Sequence, residues 1–450
     1  VDFDTASTIE SRYFTQLVTG QTAENMLQAF WYQLNEIKNG RSRPAGIEPI
    51  DTQKVGILGA GMMGHGIAYV TALAGMAVVL KDVTLEKAEA GKAQIERILD
   101  GRLRHGRLTP EKKQAVLARI LPTGSAADLQ GCDLIIEAVF ENRELKAKVT
   151  QEAEAQIGAD AVFGSNTSTL PITGLAQQSA RPENFIGIHF FSPVHKMKLV
   201  EIIRGQKTAD RTLAKAFDYV LKIGKTPIVV NDSRGFYTSR VFTTYVYEGL
   251  SMLAEGQPPR AIEMAGMQAG MPVGPLAISD EINMGLALHV REQTRQDLAA
   301  EGQTLPKQPA DAVLDLMVNR EKRPGKAQGA GFYDYPADGK KYLWPKLSQL
   351  FPSQREKLCQ QEMMDRLMFV QALETVRCFE EGVVTSAADA NIGSIFGWGF
   401  APFKGGTLQF INDYGLPAFV QRCQELAQKY GERFAPPESL MTMVEEVRNF

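Results

Sequence analysis

The chain is poor in cysteine and histidine, carries no excess of positive charge and lacks long apolar runs, and each scarcity removes a class of function. Its four cysteines, Cys132, Cys359, Cys378 and Cys423, stand far apart with no CxxC pair. That spacing argues against a disulfide framework or a thiolate zinc site and fits reduced thiols in a cytoplasmic compartment. A net charge of −3 and a pI near 6.1 give no general attraction to nucleic acid or anionic membrane, so a polyanionic ligand would have to meet a local basic patch. No apolar stretch is long enough to span a bilayer and no signal peptide is visible. The 450 residues open at Val1 without an initiator methionine, already in a helical pattern, as expected of a fragment of something longer or of a processed chain. With 44% hydrophobic and 22% charged residues the composition is that of an ordinary globular protein, and the length suggests about three domains.

What the chain does have is VGILGAGMMGHGIAYVTALAGMAVVLKD, from Val55 to Asp82. Val55, Ile57 and Leu58 read as a buried strand that runs into Gly59, Gly61 and Gly64, a GxGxxG loop opening a helix at Met62 and Met63. Gly59 allows the tight turn, Gly61 lets backbone approach a pyrophosphate, and Gly64 lets helix and strand pack closely. The helix N-terminus then faces the phosphates. A second apolar run, Ala77 to Leu80, ends at Asp82, 23 residues after Gly59, near the roughly 20 expected of the acid that holds the ribose 2′-hydroxyl. A carboxylate there repels a 2′-phosphate, so NAD is expected rather than NADP, although Lys81 beside it pulls the other way. The plain alternative for Asp82 is a solvated strand end.

Residues 8–38 carry apolar positions at helical spacing (Tyr13, Leu17, Met26, Ala29, Phe30, Leu34, Ile37), and GRSRPAGIEP from Gly40 reads as a linker. From Lys54 to about Asn231 strand-like runs alternate with helical patterns; the candidate strands begin at Leu134, Ala161, Phe185, Lys198 and Thr226. That alternation predicts an α/β parallel sheet. After Gly235 the strands largely stop. Helices follow to about Val290, then the glycine-rich loop GKAQGAGFYDY from Gly325, then another helical stretch from about Glu356. EGQPPRAIEMAGMQAGMPVGPLAISD from Glu255 lines up loosely with EGVVTSAADANIGSIFGWGFAPFKGGTLQFIND from Glu381, which suggests a duplicated all-α domain or a chance likeness of helical patterns. The expected fold is a Rossmann-type domain over residues 51–232 followed by two similar all-α domains, 233–350 and 351–450, with a helix and linker over 1–50 before them.

Of the five histidines, His65, His105, His195 and His289 sit in helical, polar or turn contexts that favour structural or solvated roles. His189 follows the apolar run FIGI and emerges near the rim of the sheet, where such folds bind ligands. Glu201 lies in the next run, MKLVEII, where a charge among apolar residues needs a partner. Two antiparallel strands joined through SPVHK would bring the two together, and a carboxylate beside an imidazole orients it to accept the proton of an alcohol. Ser168, in GSNTSTLP, is either a helix cap or a second hydrogen-bonding group for the substrate oxygen.

Taken together, GxGxxG with Asp82, EAVFEN, SNTSTLPI, GIHFFSPVHKMKLVEII and GMPVGPLAISD resemble the L-3-hydroxyacyl-CoA dehydrogenase family, and within it the dehydrogenase part of multifunctional β-oxidation α subunits. The resemblance runs over nearly the whole chain. It implies oxidation of (S)-3-hydroxyacyl-CoA to 3-oxoacyl-CoA with NAD, with His189 as base, Glu201 as its partner and Ser168 on the substrate oxygen. It also implies cofactor contacts for Glu141 and Lys146, which pattern alone would make a surface helix pair, and for the segment holding Ser192. Two positions depart from the family: GFYTSR has Ser239 where Asn is usual, and HFFSP has Ser192 where Asn is usual. Ser lacks the amide donor, so Ser239 contributes less securely, directly or through water. The first 46 residues resemble the helix that connects such proteins to an enoyl-CoA hydratase domain, and the resemblance leads to the expectation that this domain, and hydratase activity with it, is absent. A thiolase β subunit and a second α subunit are the implied partners. For coenzyme A phosphates the basic segment from Glu96 to Lys113 offers Arg102, Arg104 and Arg107, which a solvated helix end explains equally. Two other readings stay open: a β-hydroxyacid dehydrogenase acting on a free acid held by Lys196 and Lys198, and a catalytically silent NAD-binding scaffold.

Overall fold

The computed structural model describes residues 1–300, 302–353 and 357–450; Glu356, where the last helical stretch was expected to open, lies outside them, and the helix there runs Gln360–Glu380. By compactness the chain falls into two units. One joins Leu27–Ser239 with Glu381–Trp398, and the other joins Val1–Met26 with Arg240–Glu380 and Gly399–Phe450. These groupings cut across the segments read from the sequence: the first 26 residues go with the helices, and Glu381–Trp398 goes with the sheet.

The sheet unit holds eight strands: β1 (Lys54–Leu58), β2 (Ala77–Lys81), β3 (Ile120–Thr123), β4 (Leu134–Glu137), β5 (Val162–Ser165), β6 (Phe185–Phe190), β7 (Leu199–Arg204) and β8 (Thr226–Asn231). Their spatial order is β3-β2-β1-β4-β5-β6-β7-β8. Strands β1 to β6 pair in parallel, β7 turns antiparallel to β6, and β8 runs parallel to β7. Every residue of β4, β5 and β6 is buried, as a sheet covered on both faces requires, and their near-continuous apolar sequences follow from it. The strand missing from the sequence reading is β3. Its Pro122 has no N–H to give to the ladder, which is tolerated because β3 is an edge strand.

The helix Ala387–Trp398 packs against β7 and β8. Its Asp389 is buried and accepts a hydrogen bond of 2.5 Å from the Ser42 hydroxyl. Burial pushes this carboxyl up to about 7, more than the Ser42 bond can offset. Since the folded value lies above the ordinary 3.8, the native state holds this proton more tightly than the unfolded chain. The stability associated with it is full below about pH 4, declines as the pH rises toward 7 and stays reduced above. Asp389→Asn is therefore expected to raise Tm by several degrees near pH 8 and clearly less near pH 5. Equal shifts at the two pH values would show that the carboxyl does not titrate in this range.

Among the described residues the strands of the helical unit are confined to a short hairpin, Tyr333–Asp334 with Tyr342–Leu343. The loop GAGFYDY is clamped from within: Asp280 accepts from the N–H groups of Phe332 and Tyr333 and from the Tyr335 hydroxyl. Helix Phe3–Val18 buries none of its residues, and Tyr13 and Leu17, two of the apolar positions at helical spacing, are exposed. Among the described residues no helix is long and apolar enough to cross a membrane, and no cluster of three His, Cys, Asp or Glu could hold a metal ion.

Candidate active site

The glycine loop leaves the end of β1. Gly59 has φ +94°, in the left-handed region, and an added Cβ would lie 2.7 Å from the Ala138 carbonyl oxygen. A Cβ on Gly64 would come within 1.7 Å of the Gly59 carbonyl oxygen, whereas one on Gly61 meets nothing within 4 Å. The first and third glycines thus serve chain packing, and the second keeps open space before the N-terminus of helix Met62–Leu73, which has no side-chain cap. Its unpaired amides are suited to an anion. Asp82 is fixed by two backbone donors, Ala60 N–H to Oδ2 and Val83 N–H to Oδ1, both 2.7 Å. Gly59, Lys81, Asp82, Val83, Val139, Val149 and Glu152 help to line a cleft. These residues fit a dinucleotide: open phosphate approach, amide donors, an oriented carboxylate and an apolar-walled cleft. Met62 is exposed at the loop, and Met63 packs against the core.

His189 and Glu201 face each other directly across the antiparallel β6–β7 ladder. Glu201 Oε2 lies 2.9 Å from His189 Nδ1, and both side chains are buried. The carboxylate is completed by the start of helix Thr238–Ala254: Oε1 accepts the N–H groups of Tyr237 and Thr238 at 3.0 Å each, and Oε2 accepts the Thr238 hydroxyl at 2.5 Å. A buried charge is acceptable here because it meets four donors. Phe236, at φ 51°, turns the chain so that the two following amides point at the carboxylate; this left-handed conformation of a bulky residue is held by full burial. A carboxylate at Nδ1 assigns the proton to that nitrogen and leaves Nε2 as the acceptor. Among the described residues Nε2 has no hydrogen-bond partner. The ring lies beside Phe191 and Phe236, with centroids 4.5 and 6.2 Å away.

The Ser168 loop is held by Glu141, whose Oε1 accepts from the Thr167 hydroxyl (2.5 Å) and the Ser168 N–H (3.1 Å). Burial opposes the ionisation of Glu141, but the Lys146 charge and the Thr167 hydrogen bond outweigh it and keep its carboxyl below the ordinary range. Ser168 is exposed, and Ser239 Oγ donates to the Ser168 carbonyl at 3.2 Å. The helix start that holds Glu201 therefore also touches the Ser168 loop. Ser192 is exposed and its hydroxyl lies 3.7 Å from Met62 Sδ, against the glycine loop. Lys146 points inward, its ammonium 2.8 and 3.0 Å from the two Glu137 oxygens and 3.2 Å from Glu141. Arg102 and Arg104 end helix Leu85–Arg104. Arg102 donates to the Tyr69 hydroxyl, while Arg104 and Arg107 are exposed.

Three residues went unread in the sequence. Thr238 holds the Glu201 carboxylate, Asn166 accepts the Phe190 N–H at 2.8 Å beside His189, and Glu137 gathers Lys146, Ser165 and the Val139 N–H at the end of β4. Of the other histidines, His105 and His289 are exposed. His65 Nδ1 lies 2.8 Å from the Gly61 carbonyl, and burial lowers its pKa, as it does for His195.

A mostly parallel sheet with this loop, this acid and a buried His–carboxylate pair defines a dinucleotide-binding dehydrogenase architecture. Family comparison narrows it: residues 54–233 match the NAD-binding domain of 3-hydroxyacyl-CoA dehydrogenase, and residues 235–335 match its C-terminal domain. The chain is also similar, at 35% identity, to the (S)-3-hydroxybutyryl-CoA dehydrogenase of Ralstonia eutropha, over 64% of this chain and all of that one, with TM-score 0.59. The chain belongs to the NAD-dependent 3-hydroxyacyl-CoA dehydrogenase family. The 3-hydroxybutyryl-CoA dehydrogenase of Escherichia coli K12 shares the fold, with TM-score 0.75 at 24% identity over 88% of this chain and 99% of that one. The fatty acid oxidation complex subunit alpha of Pseudomonas syringae pv. syringae is 36% identical over 99% of this chain. The chain spans 62% of that relative's length.

Proposed function

We propose that this chain oxidises (S)-3-hydroxyacyl-CoA to 3-oxoacyl-CoA, with His189 as the proton acceptor. The observation that carries the reading is the buried His189–Glu201 pair, with Nδ1 engaged and Nε2 open, on the sheet that also carries the glycine loop and Asp82. NAD, when bound, supplies the acceptor for the hydride from C3. His189 Nε2 takes the hydroxyl proton, and Glu201 stabilises the imidazolium that forms, its carboxylate held in place by the amides of Tyr237 and Thr238 and the Thr238 hydroxyl. Ser168 presents an exposed hydroxyl for the substrate oxygen, and Ser239 positions that loop through the Ser168 carbonyl. Gly59, Gly61, Met62, Met63, Gly64 and Asp82 hold the dinucleotide. Glu141 acts on it through the Ser168 loop, and Lys146 acts through Glu137 and Glu141. Arg102, Arg104 and Arg107 offer charge to the coenzyme A phosphates. Partnership with a thiolase β subunit and a second α subunit belongs to the same reading, for which the name of the Pseudomonas relative supports membership of a complex; a cytoplasmic setting, in keeping with four free cysteines, belongs to it too.

Lys198, one of two candidates for a free carboxylate, has its ammonium 5.2 Å from the Phe396 ring centroid, which weakens the free-acid alternative. The test is NADH formation with (S)-3-hydroxyacyl-CoA thioesters of several chain lengths, against NADP and a free 3-hydroxy acid. Turnover of thioesters with NAD is the expected result. Measurable NAD binding without thioester turnover would sink the reading in favour of a scaffold.

A further inference from the structure

Lys81 is the residue that the NAD reading does not absorb. An ammonium next to the ribose acid should invite a 2′-phosphate, yet the structure gives this one an occupation. Lys81 Nζ lies 3.3 Å from Glu152 Oε1, on the helix Arg143–Glu154, and both residues line the same cleft as Asp82. The Lys81 side chain is only 12% exposed, against 43% for Glu152, so the ammonium is drawn under the carboxylate and away from solvent. Asp82 cannot take over that partnership by turning, because each of its oxygens is held by a backbone N–H. The cleft therefore presents two carboxylates and one ammonium, a net charge of −1, where NADP would bring a further ~1.5 to 2 negative charges.

We infer that Glu152 is a second determinant of NAD over NADP: it pairs with Lys81 and keeps that lysine from serving as a 2′-phosphate site. This rests on reading the cleft as the adenosine ribose site. Asp82 repels the phosphate directly. Glu152 adds its own charge and sequesters the one cation able to attract the phosphate. Removing Asp82 alone leaves Lys81 paired, and the full switch requires both carboxylates to go.

Equilibrium binding of NADH and NADPH, followed by cofactor fluorescence or calorimetry, tests this without turnover. Glu152→Gln is expected to tighten NADPH binding about tenfold, the order of magnitude of one unit charge near a partly exposed site, and to leave NADH within about threefold. Asp82→Ser with Glu152→Gln is expected to gain more for NADPH than the two single changes combined. Adding Lys81→Met to that pair is expected to abolish the excess, and raising the salt concentration to shrink it. Because Glu152 lies at the surface of its helix, Glu152→Gln should fold; unchanged thermal melting checks this. If Asp82→Ser alters the NADPH to NADH ratio and Glu152→Gln leaves it within about twofold, Asp82 acts alone and the inference fails. If neither changes binding of either cofactor, the ribose-site reading of the cleft fails and takes the inference with it.

Discussion

Replacing His189 with glutamine is expected to lower kcat by about 10²- to 10⁴-fold, the range of a positioned general base, while the Kd for NADH stays within about twofold. Glutamine keeps a donor for Glu201 but offers no nitrogen able to take a proton, so the loss falls on the chemical step and not on cofactor binding. Glu201→Gln is expected to give a smaller drop in kcat together with a lower Tm. The carboxylate it removes accepts four donors, one of them the imidazole, and a side-chain amide cannot accept them all. Steady-state NADH formation combined with NADH titration separates the two effects. A loss below about tenfold for His189→Gln would remove that residue from the proton transfer.

The second large effect is expected at the glycine loop, where two superficially similar substitutions should fail in different ways. Gly64→Ala forces a Cβ to within 1.7 Å of the Gly59 carbonyl oxygen, a backbone atom that cannot swing aside as a side chain can. The strand end or the helix must move, at a cost of about 3 kcal/mol or more, and both Tm and NADH affinity should fall. Gly61→Ala has an ordinary φ of −66° and nothing within 4 Å of the added atom. Its Tm should stay within a degree or two of the parent while NADH binding weakens by on the order of tenfold or more, since the open backbone approach is lost. Thermal melting and NADH titration of both variants decide the matter. Equal loss of stability in the two would contradict the division of labour between these glycines.

Much of this site was readable because two of its signals are local. The glycine loop and Asp82 occupy one βαβ stretch, and Glu201 is a charge inside an apolar run twelve residues after His189, a distance that a hairpin-like return closes. The remainder depends on pairings that leave no local trace. Thr238 meets Glu201 across 37 residues, and Ser165 meets Glu137 across 28; each is an ordinary polar residue until the sheet is assembled. Lys146 shows the opposite error. Its helix carries enough charge to read as a surface element, but the end of β4 supplies a buried carboxylate that draws the ammonium inward. On the helix Phe3–Val18, the helical spacing of apolar residues carries no information about what covers them, and no residue there is buried.

The reversal of β7 relative to β6 also bears on how this site can change. Four consecutive residue pairs, Gly187 with Ile203 through Phe190 with Val200, set the register that puts Glu201 opposite His189. The connection between them, residues 191–198, takes no part in that ladder. Changes at its exposed tip, His195 and Lys196, leave the proton-handling pair where it is, whereas one residue inserted within either strand would turn the imidazole or its carboxylate to the other face of the sheet. Variation among descendants of this chain should therefore collect in the excursion and spare the rungs, so that new substrate shapes can be explored on a fixed chemical step.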